Sequence, residues 1–232
     1  MRRILSFLTI LTLLLANVLI CYAEQPQKKA VYELFSADGI YTDSVGNEYA
    51  YSFHVPQLYS DSADASDINK EIEESFGRRV ENQFSYMEGR HSISCWNTEW
   101  HAYWSGSQLF LLISAEESGD LHHYGAYGYD FETGSKVTND MILEQMGISE
   151  EEYLQNLKEK VQELYERIHS SIPEDLRVKS DYYELLEKTL EWQTMEQPMF
   201  INQFGEIETI SKVGEMAGAG RDYYLVTVGK SS

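Results

Sequence analysis

Hydrophobic and polar positions follow distinct rhythms along this chain, and each rhythm names an element. From Glu48 to Leu58, Tyr49, Tyr51, Phe53 and Val55 alternate with polar or small residues. That is the period of two that one buried strand face requires, and Pro56 is expected to end or bend the strand. Ser60 to Asp67 is polar and offers Ser66 as a helix N-cap. Ile68, Ile72, Phe76, Val80, Phe84 and Met87 then recur every three or four residues, predicting one helix that ends near Gly89. From Ser92 the period returns to two, with a strand from Ile93 to Trp104, a Ser105-Gly106-Ser107 turn and a second strand from Gln108 to Ala115. The unbroken run Leu109 to Ile113 predicts a hairpin arm buried on both faces. Gly119-Asp120 turns the chain into a tyrosine-rich strand, Leu121 to Phe131, and Glu132 to Ser135 turns it again.

The last third is mostly helical. Asn139 or Asp140 is expected to cap a short helix to Met146, and Ser149 with Glu152 forms a capping box that opens a helix to about Ser170. The stripe of that helix is Leu154, Leu157, Val161, Leu164 and Ile168. Another helix is expected from Asp181 to Trp192, with Leu185, Leu186 and Leu190 inward. Strands Met199 to Gln203, Ile207 to Val213 and Tyr223 to Val228 close the chain, the last two separated by a loop from Gly214 to Asp222. Strand, helix, strands, helices, strands is the order of an α+β fold with antiparallel sheets and packed helices. It divides into two intertwined halves, 32–118 and 119–228.

Before this domain the pattern is different. Arg2 and Arg3, an apolar stretch from Ile4 to Ile20, and Cys21-Tyr22-Ala23 have the three parts of a secretory signal peptide, with cleavage expected after Ala23. Residues 24–31, with Pro26, read as a flexible leader. Only Cys95 remains after cleavage, so no internal disulfide is expected, and its apolar setting predicts a buried, inert thiol. Without Arg2 and Arg3 the net charge of −20 becomes −22. A field of that sign disfavours nucleic acid and anionic lipid and favours cationic partners.

No nucleophile elbow, P-loop, zincin signature or Cys-x-x-Cys pair occurs. No cofactor or metal is expected. Weaker constellations remain. Adjacent His122 and His123 on a strand point to opposite faces and cannot share a metal, although either one alone could pair with Asp130 or Asp120 as an acid/base couple. The carboxylate pairs Glu116 with Glu117 and Asp130 with Glu132 have the composition of a glycosidase site, as any strongly acidic chain does by chance. His91 and Cys95 would approach one another only on a helix. Trp96, Trp100 and Trp104 share one face of a strand by alternation. Asn97, Glu99, His101 and Tyr103 opposite them read as solvated, which favours burying the indoles; exposed, they would stack on sugar rings or anchor a partner. The loop beginning Gly214-Glu215-Met216 is the other candidate for binding, because its glycines let a partner approach the backbone and Met216 is its one large apolar side chain.

Tyr124-Gly125-Ala126-Tyr127-Gly128-Tyr129-Asp130-Phe131-Glu132-Thr133-Gly134-Ser135-Lys136-Val137-Thr138 resembles the signature of a known extracellular family: small residues, an aromatic-Asp strand, and a Thr-Gly-Lys-like turn leading to a capped helix. Ser135 separates Gly134 from Lys136, a one-residue departure. Phe200-Ile201, Gly205 and Ile207, followed by Ala217 to Gly220, are similar to the closing hairpin and loop of the same family. This is the RsiV-like ectodomain, found in a lysozyme-sensing anti-sigma factor and beside peptidoglycan deacetylase domains. The resemblance covers about Tyr32 to Val228. It implies an α+β fold and a non-catalytic binding or sensing role at the bacterial cell envelope, in the periplasm or secreted, with a cationic protein such as lysozyme as partner. Gly214-Glu215-Met216 stands where the family often has a Pro-aromatic element. Envelope glycan binding, and a hydrolase or deacetylase accessory role, are the alternative readings.

Overall fold

The computed structural model describes residues 30–118, 121–178, 180–216 and 220–229. The expected signal peptide and residues 24–29 of the expected leader lie outside them. Val31, assigned to that leader, instead opens the first strand. The elements in chain order are β1 (Val31–Thr42), β2 (Glu48–Leu58), α1 (Ala63–Ile72), a π-helical turn (Glu73–Gly77), α2 (Arg78–Glu88), β3 (Cys95–Ser105), β4 (Gln108–Glu117), β5 (Leu121–Asp130) and β6 (Ser135–Val137). Then follow α3 (Asn139–Met146), α4 (Glu150–Ile168), α5 (Glu174–Arg177), α6 (Tyr182–Glu191), β7 (Met199–Ile201), β8 (Ile207–Gly214) and β9 (Arg221–Gly229). No helix among the described residues is long and apolar enough to cross a membrane.

The class is α+β. A six-stranded sheet runs β1-β2-β3-β4-β5-β6 and a three-stranded antiparallel sheet runs β7-β8-β9. The larger sheet is mixed rather than wholly antiparallel, because β2 and β3 lie parallel through the pairs Ser52↔Asn97 and Phe53↔Thr98. The helical segment between them supplies the crossover that a parallel pair needs. Every other junction of this sheet joins sequence neighbours antiparallel.

Local chemistry fixes the turns. Asp43 Oδ1 accepts the N–H groups of Val45 and Asn47, each at 2.9 Å, closing the turn from β1 to β2. Gly106, at φ +63°, is the first of two central residues between the paired Ser105 and Gln108, the place where a type II′ turn needs positive φ. The first helix starts earlier than Ser66. Ser62 Oγ accepts the Ala65 N–H at 3.1 Å, and Ser66 lies within the first turn. Likewise Thr138, not Asn139 or Asp140, caps α3 through the Met141 N–H. Asn139 instead reaches the carbonyls of Met195 and Gln197. Ser149 caps α4 as expected.

The stripe Ile68, Ile72, Phe76, Val80 stays on one side only because the helix changes pitch. At 3.6 residues per turn, a strict four-residue spacing rotates by about 40° at each step. The π-helical turn at Glu73–Gly77 has i→i+5 bonds and fewer degrees per residue, so it absorbs that excess. All four side chains are buried. This segment covers one face of the large sheet. Phe84 meets Phe53 edge-on at 5.6 Å, and Phe76 lies over Gly125, where a Cβ would come within 2.8 Å of the ring.

The second half covers the other face, over β3 to β5. Phe110 and Leu112 join Tyr153, Leu157 and Val161 of α4 and Phe200 of β7 in one apolar cluster, and Tyr103 stacks on Phe200 at 5.8 Å. The buried side of α4 is therefore Tyr153, Leu157, Val161, Leu164 and Tyr165, with Leu154 and Ile168 only partly covered.

Candidate functional site

The part of the large sheet that no described element covers carries a polar cluster. On β1 and β2, cross-strand pairing sets Ser36 opposite His54 and Asp38 opposite Ser52, on the face away from the helices. His54 Nδ1 lies 2.9 Å from Glu33 Oε1 and its Nε2 3.3 Å from Asp38 Oδ1. Glu33 Oε1 also accepts the Trp100 indole N–H at 3.3 Å, and Ser52 donates to Asp38 Oδ1 at 2.6 Å. Desolvation opposes a charged His54, but the two carboxylates overcome it and raise its pKa above the ordinary value. Glu33 is held below the usual carboxylate range, first by the Ser36 hydroxyl and then, against desolvation, by His54 and Trp100. Asp38 is lowered by Ser52 and then by His54. Next to this cluster, Asn97, Glu99 and His101 continue the face, and Glu99 and His101 are exposed.

A second cluster lies where β9 meets β5. Asp222 is buried; its Oδ1 accepts the backbone N–H of His122 at 3.1 Å and its Oδ2 lies 3.0 Å from His122 Nδ1. The imidazole stacks on Tyr124 at 5.9 Å. Beside it, the Tyr224 hydroxyl donates to Glu215 Oε1 at 2.6 Å; desolvation and that carboxylate push the phenol pKa upward. An Asp–His couple of this geometry can orient an imidazole to accept a proton.

The expected partners of His122 are therefore replaced. Asp130 is spent on the turn after β5, accepting the Glu132 N–H at 2.8 Å, and Asp120 lies outside the described residues. Glu117 pairs with Arg79, away from any couple with Glu116. His123, on the opposite face, stands edge-on to Phe76, and desolvation with nearby Arg79 lowers its pKa. Among the described residues no group of three or more His, Cys, Asp or Glu could hold a metal ion.

The three tryptophans do not form a row. The ladder between β3 and β4 shifts between Cys95 and Asn97, leaving Trp96 as the extra residue of a bulge and breaking its alternation with Trp100. Trp100 is half-buried and bonded to Glu33; Trp104 is exposed against Phe131 at 5.7 Å. Nor is the opposite face wholly solvated, since Tyr103 is covered by Phe200. Cys95 is buried and free, and burial raises its thiol pKa.

The base of the loop after β8 is engaged internally. The Gly214 N–H donates to Thr189 Oγ1 at 3.0 Å, and a Cβ there would come within 2.6 Å of Leu185. Glu215 holds Tyr224. The Met216 N–H donates to His169 Nε2 at 3.2 Å, and its side chain packs against the core. Residues 217–219 lie outside the described residues. The chain matches no protein-family model and no curated protein.

Proposed function

We propose that this chain is an exported, non-catalytic binding module of the bacterial cell envelope that receives a cationic protein, such as a lysozyme, on the open acidic face of its larger sheet. The observation that carries the reading is the cluster of Glu33, Asp38 and His54, with the Trp100 indole bonded to Glu33, on a face that no element among the described residues covers over β1 and β2. Paired carboxylates next to an indole offer a lysine or arginine both charge and a flat apolar surface. The negative net charge of −20 adds long-range attraction. The RsiV-like resemblance of the sequence points the same way.

The test is calorimetric binding of a c-type lysozyme to the domain from Val31 onward, at low salt and at about 0.5 M salt. Binding at low salt that weakens at least tenfold in high salt, and falls further in the double variant Glu33→Gln, Asp38→Asn, is the expected result. Absence of binding at low salt, or equal binding by the double variant, overturns it. The Asp222–His122 couple favours a second reading, a cell-wall hydrolase accessory. Turnover of peptidoglycan fragments that is lost in His122→Ala would replace the binding reading with that one.

A further inference from the structure

The edges of the two sheets differ in what they leave open. β6 and β7, each at one edge, have three residues apiece, and β9, at another, packs against β5. The remaining edge is β1, with 12 residues. Among the described residues β2 is its one strand partner, and no other backbone–backbone bond reaches Val31–Thr42. In an antiparallel ladder the backbone groups of successive residues point alternately toward the partner strand and away from it. Every second residue of β1 therefore presents its N–H and C=O to a side that no described strand fills. From Phe35 to Thr42 the register with Val55 to Glu48 is unbroken, which makes this stretch a regular template.

The chemistry of that template is one-sided. Its open face reads Ser36, Asp38, Ile40 and Thr42, all exposed. Asp38 Oδ1 takes both Ser52 and His54, and Oδ2 has no partner among the described residues. β1 holds two carboxylates, Glu33 and Asp38, and no basic residue; on β2, His54 is the one base and Glu48 adds a further carboxylate. On the helix side Phe35, Ala37 and Tyr41 are only half-buried. Natural edges are guarded by charge and by bulges, and this one has both, the bulge lying between Glu33 and Phe35. These guards act against a second copy of the chain, which would bring another net charge of −20 and another acidic strand. They do not act against a strand that carries lysine or arginine, because opposite charges across a ladder attract.

We infer that an extended cationic segment of a partner protein docks by adding as a strand to β1 between Phe35 and Thr42, with a lysine or arginine opposite Asp38 and apolar side chains over Phe35, Ala37 and Tyr41. This rests on the reading that a cationic protein is received at this end of the sheet, and names the form in which it docks. Backbone bonds along β1 give affinity, and the cross-strand pair at Asp38, with Cβ atoms about 5 Å apart, gives selectivity.

The probe is a capped seven-residue peptide with lysine at its centre, threonine two positions to either side and valine elsewhere, titrated into the ¹⁵N-labelled protein. Saturable shifts from Phe35 to Thr42, with slowed solvent exchange at alternate amides of that stretch, are expected. N-methylation of one alternate set of peptide amides should weaken binding at least about tenfold and of the other set far less, because only one set faces β1. Replacing the central lysine by aspartate should weaken binding at least about fivefold. Asp38→Asn should weaken the lysine peptide about threefold or more with the rest of the spectrum preserved; if that variant misfolds, the aspartate peptide on the wild-type chain carries the charge test. Equal effects of the two N-methylated sets overturn strand addition, and equal binding by the aspartate peptide overturns the pairing with Asp38. Absence of shifts at millimolar peptide overturns the inference even where lysozyme binds, whereas peptide bound along β1 without lysozyme binding sustains it and overturns only lysozyme as the partner. A protein that sediments as a dimer, with the same alternate amides protected before peptide is added, places a second copy on β1 and overturns the inference as well.

Discussion

The middle and the β1 end of the six-stranded sheet are built alike in backbone and oppositely in chemistry. At β4 both faces are covered: Leu109, Phe110, Leu111, Leu112 and Ile113 are all buried, the helical segment on one side and α4 with the small sheet on the other. At β1 and β2 only the helix side is covered by described residues. Phe53 and Val55 are buried there, whereas Ser36, Asp38 and Ile40 on the other face are exposed. A strand covered twice spends its side chains on cohesion. One covered once keeps alternate positions free for a ligand, which is why the acidic cluster lies at this end.

The sharpest way to break this contrast is truncation. Phe110→Ala should cost about 3–5 kcal/mol in urea unfolding, as loss of a buried aromatic does, while Ile40→Ala should stay within about 0.5 kcal/mol. Equal costs would mean that the open face is covered in solution. Gly214→Ala should destabilise by about 1–3 kcal/mol, because its Cβ would meet Leu185 and Thr189. A wild-type urea midpoint for that variant would contradict close packing at the loop base.

A smaller effect is expected at His54. Its folded pKa is raised, so protonated His54 contributes stability fully below its unfolded value of about 6.5. That contribution is lost as pH rises through the folded pKa, leaving Glu33 and Asp38 uncompensated. An NMR titration should place the His54 midpoint above that of the urea-unfolded chain and return it toward the unfolded value in the Glu33→Gln, Asp38→Asn variant. The least effect concerns Cys95, whose buried thiol should react with a thiol reagent only as fast as the domain opens, so that reaction without denaturant at the rate of free cysteine would contradict its burial.

The elements legible in the sequence were those whose signal is local. β2 spans Glu48 to Leu58 as its alternation predicts, and the doubly buried arm at Leu109 to Ile113 is legible because five consecutive apolar residues have few other solutions. β1 is not legible, since Asp38-Gly39 in its middle is the dipeptide of a hairpin turn. It stays extended because Tyr51 across the ladder lies over Gly39, its hydroxyl 2.6 Å from where a Cβ would be. The candidate sites depend on contacts that no window of sequence contains. Asp222 and His122 are 100 residues apart, Trp100 and Glu33 are 67 apart, and the bulge that displaces Trp96 is set by pairing with β4. The expected indole row and the expected Asp130 partner for His122 both followed from extending local rules across such contacts.

The junction between β2 and β3 has a consequence for how the chain reaches this structure. β1 with β2, and β3 with β4 and β5, are hairpins between sequence neighbours, and each closes over a short connection. Their union rests on two register pairs whose members are 45 residues apart, Ser52↔Asn97 and Phe53↔Thr98. Closing the longer loop costs more chain entropy and returns fewer hydrogen bonds, so the two hairpin blocks should form first and fuse afterwards through the helical crossover. Kinetically, mutations in the β3–β4 hairpin should slow refolding, whereas a mutation at the fusion point, such as Thr98→Ala, should act chiefly by speeding unfolding.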